Sequence, residues 1–99
     1  MIIINVISSY RDVVAVCDSE LLGKRFEEGK FQLDVKESFY KGEEVDEERA
    51  IQIKKRMSGE DATFNIVGKN SIDIALKAGI IIEEGIGEIQ GVPFALVLI

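Results

Sequence analysis

The spacing of apolar positions changes several times along the chain, and each change predicts an element. Residues 2–7, Ile-Ile-Ile-Asn-Val-Ile, are almost unbroken apolar, the pattern of a strand covered on both faces. A polar, turn-like Ser8-Ser9-Tyr10-Arg11-Asp12 leads to the β-branched run Val13-Val14-Ala15-Val16-Cys17. So short a link predicts an antiparallel hairpin. Asp18 or Ser19 can cap a single helical turn that Gly23 ends, and Arg25 to Gly29 reads as loop. Phe31, Leu33 and Val35 alternate with Gln32 and Asp34, a half-buried strand of period two. Phe39-Tyr40 reads as a short extended piece, its rings on opposite faces, closed by Lys41-Gly42-Glu43.

The pattern then turns helical. Asp46 caps a helix running to Met57, with Glu47 and Glu48 in its first turn and Lys54, Lys55 and Arg56 in its last. Those charges oppose the macrodipole at both ends. Ala50, Ile53 and Met57, helped by Ile51, make its inner stripe, and Ser58-Gly59 stops it before a polar tip at Glu60-Asp61. Phe64, Ile66 and Val67 form a strand that Gly68 breaks. Asn70 is the expected N-cap of a second helix, with Asp73 three residues on as a weakened capping box. Ile72, Ala75, Leu76 and Gly79 share one helical face, Lys77 suits the last turn, and Gly79 suits a left-handed stop.

Ile80-Ile81-Ile82 is a candidate strand and Ile86 to Gln90 another. Gly91-Val92-Pro93 turns into Phe94 to Ile99, apolar on both faces, with Pro93 suiting a strand start. The expected architecture is an α/β domain of α+β-like character, single and compact. It has a mixed, mostly antiparallel sheet and two main helices, about 46–57 and 70–78. The two terminal strands, the most apolar, are expected side by side within that sheet.

Composition narrows the chemistry. Ninety-nine residues with 46% hydrophobic content can fill one core without staples. No apolar run reaches the 18 or so residues of a membrane helix. The start, Met1-Ile2-Ile3-Ile4-Asn5, has no basic region of a signal peptide, so a cytoplasmic protein is expected. Ile is common and Gln scarce, a weak thermophile signature. One Cys and no His exclude an internal disulfide and the usual Ser-His and Cys-His pairs, and leave no basis for a zinc site. The net charge of −6 speaks against strong binding of free nucleic acid and suits a basic protein partner.

Several phrases carry a resemblance that runs in order through nearly the whole chain. They are Val14-Ala15-Val16-Cys17-Asp18-Ser19-Glu20-Leu21-Leu22-Gly23-Lys24, then Leu33-Asp34-Val35, then Phe39-Tyr40-Lys41-Gly42-Glu43 with Val45-Asp46-Glu47. Asn65-Ile66-Val67-Gly68 and Gly91-Val92-Pro93-Phe94-Ala95 complete them. The chain resembles the short archaeal proteins grouped as domain of unknown function 424. The resemblance implies an archaeal, cytoplasmic, compact α/β domain with no established activity, and it supplies no catalytic residues. In that family the position of Phe94 is often His; this chain lacks that acid–base candidate, which weighs against catalysis.

Each residue with chemical potential also has a plain structural role. Cys17 is either a thiol activated by a helix N-terminus and Lys24, or a buried small hydrophobe with Asp18 as a cap. Leu22-Gly23-Lys24-Arg25 and Gly68-Lys69-Asn70 could each offer N–H groups and cations to an anion. Neither is a Walker loop, so turn glycines with solvated lysines are the default. Tyr40 is either packing or an interface contact. The acidic run Glu43 to Glu48 reads as a solvated face with a helix start and no metal site. The candidate ligand-binding residues are Cys17, Asp18, Gly23, Lys24, Tyr40, Asn65, Gly68, Lys69 and Asn70.

Two functions follow. The first is a non-catalytic binding or adaptor domain in an archaeal assembly, translation- or RNA-related by analogy, with a protein or ribonucleoprotein partner, no membrane and no cofactor. The second is a small-ligand or anion-binding protein or enzyme using Cys17, Asp18 and Lys24 at a strand end. Edge strand 31–35 leaves a homodimer open.

Overall fold

The computed structural model describes residues 1–8, 10–57 and 62–98, and for Lys54 and Met57 the backbone only. The expected inner position Met57, the stop at Ser58-Gly59 and the tip at Glu60-Asp61 lie outside the described side chains or residues.

Eight strands are described: β1 Ile2–Ile7, β2 Asp12–Asp18, β3 Arg25–Glu28, β4 Phe31–Asp34, β5 Glu43–Val45, β6 Ala62–Val67, β7 Gly87–Ile89 and β8 Val92–Leu98. With them are α1 Glu37–Tyr40, α2 Glu47–Met57 and α3 Lys69–Lys77. Six strands form one sheet in the order β5-β1-β2-β6-β8-β7, and β3 and β4 pair separately. Among the described strands only β2 and β6 run parallel; the other neighbours are antiparallel. The mixed, mostly antiparallel sheet and the two main helices match the expectation, and α1 adds a short third.

The strand period splits the apolar residues into two cores. Ile2, Ile4, Val14, Val16, Phe64, Ile66 and Ala95 face α2 and α3, meeting Ala50, Ile53, Ile72 and Ala75. Ile3, Ala15, Cys17 and Val67 face the other way, under Val35 and Tyr40 with Phe26 and Leu33 against them. The result is three layers: helices, sheet, and a partial cover made of α1 and the β3–β4 hairpin. Each buried Val, Ile or Phe contributes about 1.5–3 kcal/mol, so these two clusters supply the driving force.

The terminal strands are not side by side. β1 and β8 flank the central pair β2–β6, one on each side. β2 is the better-buried strand, enclosed from Val14 to Asp18, whereas β8 leaves Leu96 and Leu98 65% and 71% exposed. Residues 94–98 are apolar on both faces, but only one face is covered.

Local corrections have local causes. Arg25–Glu28 is a strand and not a loop; only Phe26 is half-buried in it, so no alternation shows in the sequence. Glu43–Val45 is a strand hidden in an acidic run. Phe39-Tyr40 is a helical turn and not extended: the Tyr40 N–H donates to the Lys36 carbonyl at 2.9 Å. The two rings, expected on opposite faces, pack edge-on at 5.0 Å and 78°. Ile80 to Ile82 form no strand. The Ile80 N–H reaches the Ala75 carbonyl at 2.9 Å and the Gly79 N–H the Leu76 carbonyl at 3.1 Å, with Gly79 at φ +74°. That is a Schellman exit, which buries Ile81 and leaves Ile82 outside. The last turn sits at Gln90-Gly91, and Val92 and Pro93 already belong to β8. Asp46 does cap α2, accepting the Arg49 N–H at 2.9 Å.

Candidate functional site

Asp18 ends β2 with its side chain on the helix face, because it keeps the parity of Val14 and Val16. Its neighbour across the parallel register is the end of β6, where Gly68 leads into α3. Asn70 is not the N-cap; Gly68 holds that position, at φ +108° and without a side chain to cap with. Asp18 supplies the cap from 52 residues away: the Asn70 N–H donates to it at 3.1 Å, the Ser71 N–H at 2.8 Å and the Ser71 hydroxyl at 2.7 Å. These are the N–H groups that a capping side chain at Gly68 would take. A Cβ at Gly68 would fall on the Asp18 carboxyl group, its oxygens 2.7 Å away. Nor does Asp18 cap the short turn Ser19–Leu21 that follows it.

Beside this junction lies a crevice of about 240 Å³ between Glu20, Leu21, Lys69, Asn70, Val92 and Pro93. It occupies the strand-end position where α/β sheets often hold ligands. Its anion-attracting helix end, however, is already filled by a carboxylate of the chain itself. A second anion would meet Asp18 at that helix end.

Cys17 points to the opposite side of the sheet and is fully buried. Burial, then Asp18, then Glu20 push its thiol up from 9.0 to about 11. That is the inert kind of cysteine. Iodoacetamide labelling of the folded protein at neutral pH should run at least about 100-fold slower than for free cysteine. Labelling at the free rate would show an activated thiol.

Gly23 and Lys24 serve the cover layer. The Gly23 N–H donates to Val35 at 2.7 Å, the Val35 N–H to Lys24 at 2.9 Å, and the Lys24 N–H to Leu21 at 3.0 Å. Cys17, Lys24 and Asn70 therefore do not converge on one cleft. Asp18, Gly68, Lys69 and Asn70 do meet at the crevice, and Tyr40 and Asn65 meet elsewhere, in a groove described below. The acidic run is engaged in pairs: Glu47 with Lys77 at 3.5 Å and Glu43 with Arg49 at 3.9 Å.

Sequence reasoning missed the face opposite the helices. The registers align its residues in three rows across β1, β2, β6 and β8. Ile3-Cys17-Val67-Phe94 is the row under α1 and the hairpin. Asn5-Ala15-Asn65-Leu96 is next, and Ile7-Val13-Thr63-Leu98 the outermost. No Asp, Glu, Lys or Arg stands in these rows, in a chain with 12 basic and 18 acidic residues; charge reaches the face at its margins, where Arg11 donates to the Thr63 hydroxyl at 3.3 Å and Glu44 of β5 stands beside Ile3. Leu96 and Leu98 are exposed there, and Ile7, Val13, Thr63 and Asn65 half-exposed. Asn5 donates to the Phe39 carbonyl at 2.8 Å, which ties α1 to the edge of this open area. Tyr40 marks the same boundary; burial, then Cys17, push its hydroxyl up from 10.0 to about 12.

Both shifts raise the folded value above the unfolded one, so the stability they contribute is complete below about pH 9. It should be lost progressively as pH rises through 11 and 12. Urea melts from pH 8 to pH 11 should show a flat stretch and then a fall; a rise toward pH 11 would contradict it.

The model of a family described as protein of unknown function (DUF424) matches residues 7–99. Among solved structures, that of an uncharacterized conserved protein from Methanopyrus kandleri superimposes with a TM-score of 0.87. It is 27% identical, and the match covers 99% of this chain and 90% of that one. No curated protein matches.

Proposed function

The chain belongs to the DUF424 family of proteins of unknown function, and on that premise we propose that it is a non-catalytic binding domain. It docks a protein, alone or within a ribonucleoprotein, through the open, largely apolar part of the sheet face opposite the helices. The observation that carries this reading is the pair of outer rows, which end in exposed Leu96 and Leu98 and hold no charged residue. Leu96 and Leu98 are two exposed leucines on one side of β8, and clustered exposed apolar residues mark interaction surfaces. An apolar centre on a molecule of net charge −6 suits a basic protein that presents an apolar patch. RNA backbone would need a cluster of Lys or Arg on the face; the rows hold none, and Arg11, which donates to the Thr63 hydroxyl at 3.3 Å, brings one cation to the outermost row.

The chemistry of the strand end supports the same reading. An enzyme there would need Cys17 or Asp18 free to react, and one is an enclosed neutral thiol while the other caps a helix. An unpaired cysteine fits a reducing compartment, so we place the domain in the cytoplasm. Among the described residues no helix is long and apolar enough to cross a membrane. The archaeal origin of the structural neighbour supports an archaeal setting.

Leu96→Lys/Leu98→Lys tests the proposal. Both side chains are exposed, so the double variant should melt within a few degrees of the wild type. Its affinity for a partner captured by the wild type should fall at least about 100-fold, because two charges would be buried in an apolar contact. Calorimetry on the purified pair reads this. Equal affinity of both forms would overturn the docking face.

A further inference from the structure

Where the covered part of the sheet face meets the open part, a groove of about 200 Å³ runs between Leu33, Tyr40, Asn65, Val67, Phe94 and Leu96. Tyr40 is only 6% exposed, yet its hydroxyl makes no hydrogen bond among the described residues. It is not sealed in either, since no fully enclosed side-chain oxygen lacks a partner. The hydroxyl therefore reaches solvent, and the groove it lines is the way out. The Asn65 carboxamide, half-buried in the same groove, is also without a hydrogen-bond partner among the described residues.

Both groups reach solvent, so water pairs with them in the free protein, and a ligand that displaces that water must supply matching donors and acceptors. Together they offer matched chemistry. A carboxamide presents one acceptor and a two-hydrogen donor side by side, and the phenol adds a donor or acceptor. The rest of the lining is aliphatic or aromatic, and none of it is charged. The volume falls below the roughly 300 Å³ at which pockets for drug-sized ligands begin.

We propose that this groove is a binding site for a small uncharged molecule with a flat apolar body and an amide-like edge. The edge pairs with Asn65 and Tyr40, and the body lies among Leu33, Phe94 and Leu96. A carboxylate or an ammonium of the same shape is rejected, because the groove holds no counter-charge to replace its lost water. This goes beyond the docking reading, which uses the face and does not need the groove.

The test uses the whole chain and three phenyl probes of similar size: benzamide, benzoate and benzylammonium. In ¹⁵N–¹H spectra benzamide should give saturable shifts at the Asn65 side-chain amide and at the Leu96 backbone, and the two charged probes should not. Tyr40→Phe should weaken benzamide at least about fivefold, the effect of losing one neutral hydrogen bond. The same variant should melt at or above the wild-type temperature, because the hydroxyl removed is unpaired in the fold. The proposal is overturned if no probe binds, if all three bind alike, or if Tyr40→Phe leaves benzamide binding unchanged. It is equally overturned if Tyr40→Phe melts several degrees lower. Failure of the probes with the lysine variant still losing its partner sinks the groove alone; the reverse pattern sinks the docking face alone.

Discussion

Asp18→Ala is expected to destabilise the protein by about 3–5 kcal/mol, the cost of stranding several buried donors that had a charged acceptor. For a domain of this size that is a fall of about 15–30 °C in Tm. The cause is specific. Asp18 is 2% exposed and accepts three hydrogen bonds from the start of α3, whose own N-cap is a glycine. Remove it, and two backbone N–H groups and a hydroxyl lose their partner together. Asp18→Asn keeps one acceptor oxygen and should lose about half as much, and Ser71→Ala about 1 kcal/mol. Circular dichroism melts check all three. A loss under 1 kcal/mol for Asp18→Ala would show that α3 does not depend on this cap.

Gly42→Ala should cost about 3 kcal/mol or more, at the upper end for an overpacked site. Gly42 lies between α1 and β5, where the chain passes directly over β1. A Cβ there would collide with the Ile4 carbonyl oxygen and lie 2.9 Å from the Asn5 Cα. Both obstacles are backbone, so no rotamer change relieves them. β1 can only yield by disturbing its ladders with β2 and β5 at once. Gly85→Ala, with nothing within 4 Å of the new carbon, is the control and should stay within about 0.5 kcal/mol. Urea denaturation of the two variants separates the outcomes. Equal stabilities would mean that the β1–β5 contact is looser than described.

The parts of the fold legible in the sequence were those with local causes. α2 carries its cap, its charge gradient and its apolar stripe within residues 46–57, and the β1–β2 hairpin is two apolar runs and a short link. What failed was either non-local or disguised. The cap of α3 comes from 52 residues away, and the nearest good capping residue in the sequence, Asn70, only looks like it. Ile80-Ile81-Ile82 has the composition of a strand, but the Schellman exit bends the backbone out of extension. Strand order turned on burial: β8 looks as apolar as β1, and nothing in Phe94 to Leu98 marks which face stays open.

The candidate residues show the same division. Asp18, Gly68 and Asn70 stood out because polar and turn residues follow apolar strands, and they do share a junction. Their type pointed to an anion; their geometry shows the anion is Asp18 itself. The open rows could not be read ahead of the registers, because Ile7, Thr63 and Leu98 meet only once four strands are aligned. The absence of Asp, Glu, Lys and Arg from the rows of β1, β2, β6 and β8 is a property of the sheet, spread over segments that look unremarkable one at a time.

The central claim is that contact is made by the sheet face and not by the strand-end crevice. Photo-crosslinking in cells of the source organism tests it most directly, with benzoylphenylalanine placed at Leu96 on the face or at Lys69 in the crevice. A protein adduct at Leu96 and none at Lys69 is the predicted result. An adduct at Lys69 with none at Leu96 would contradict it.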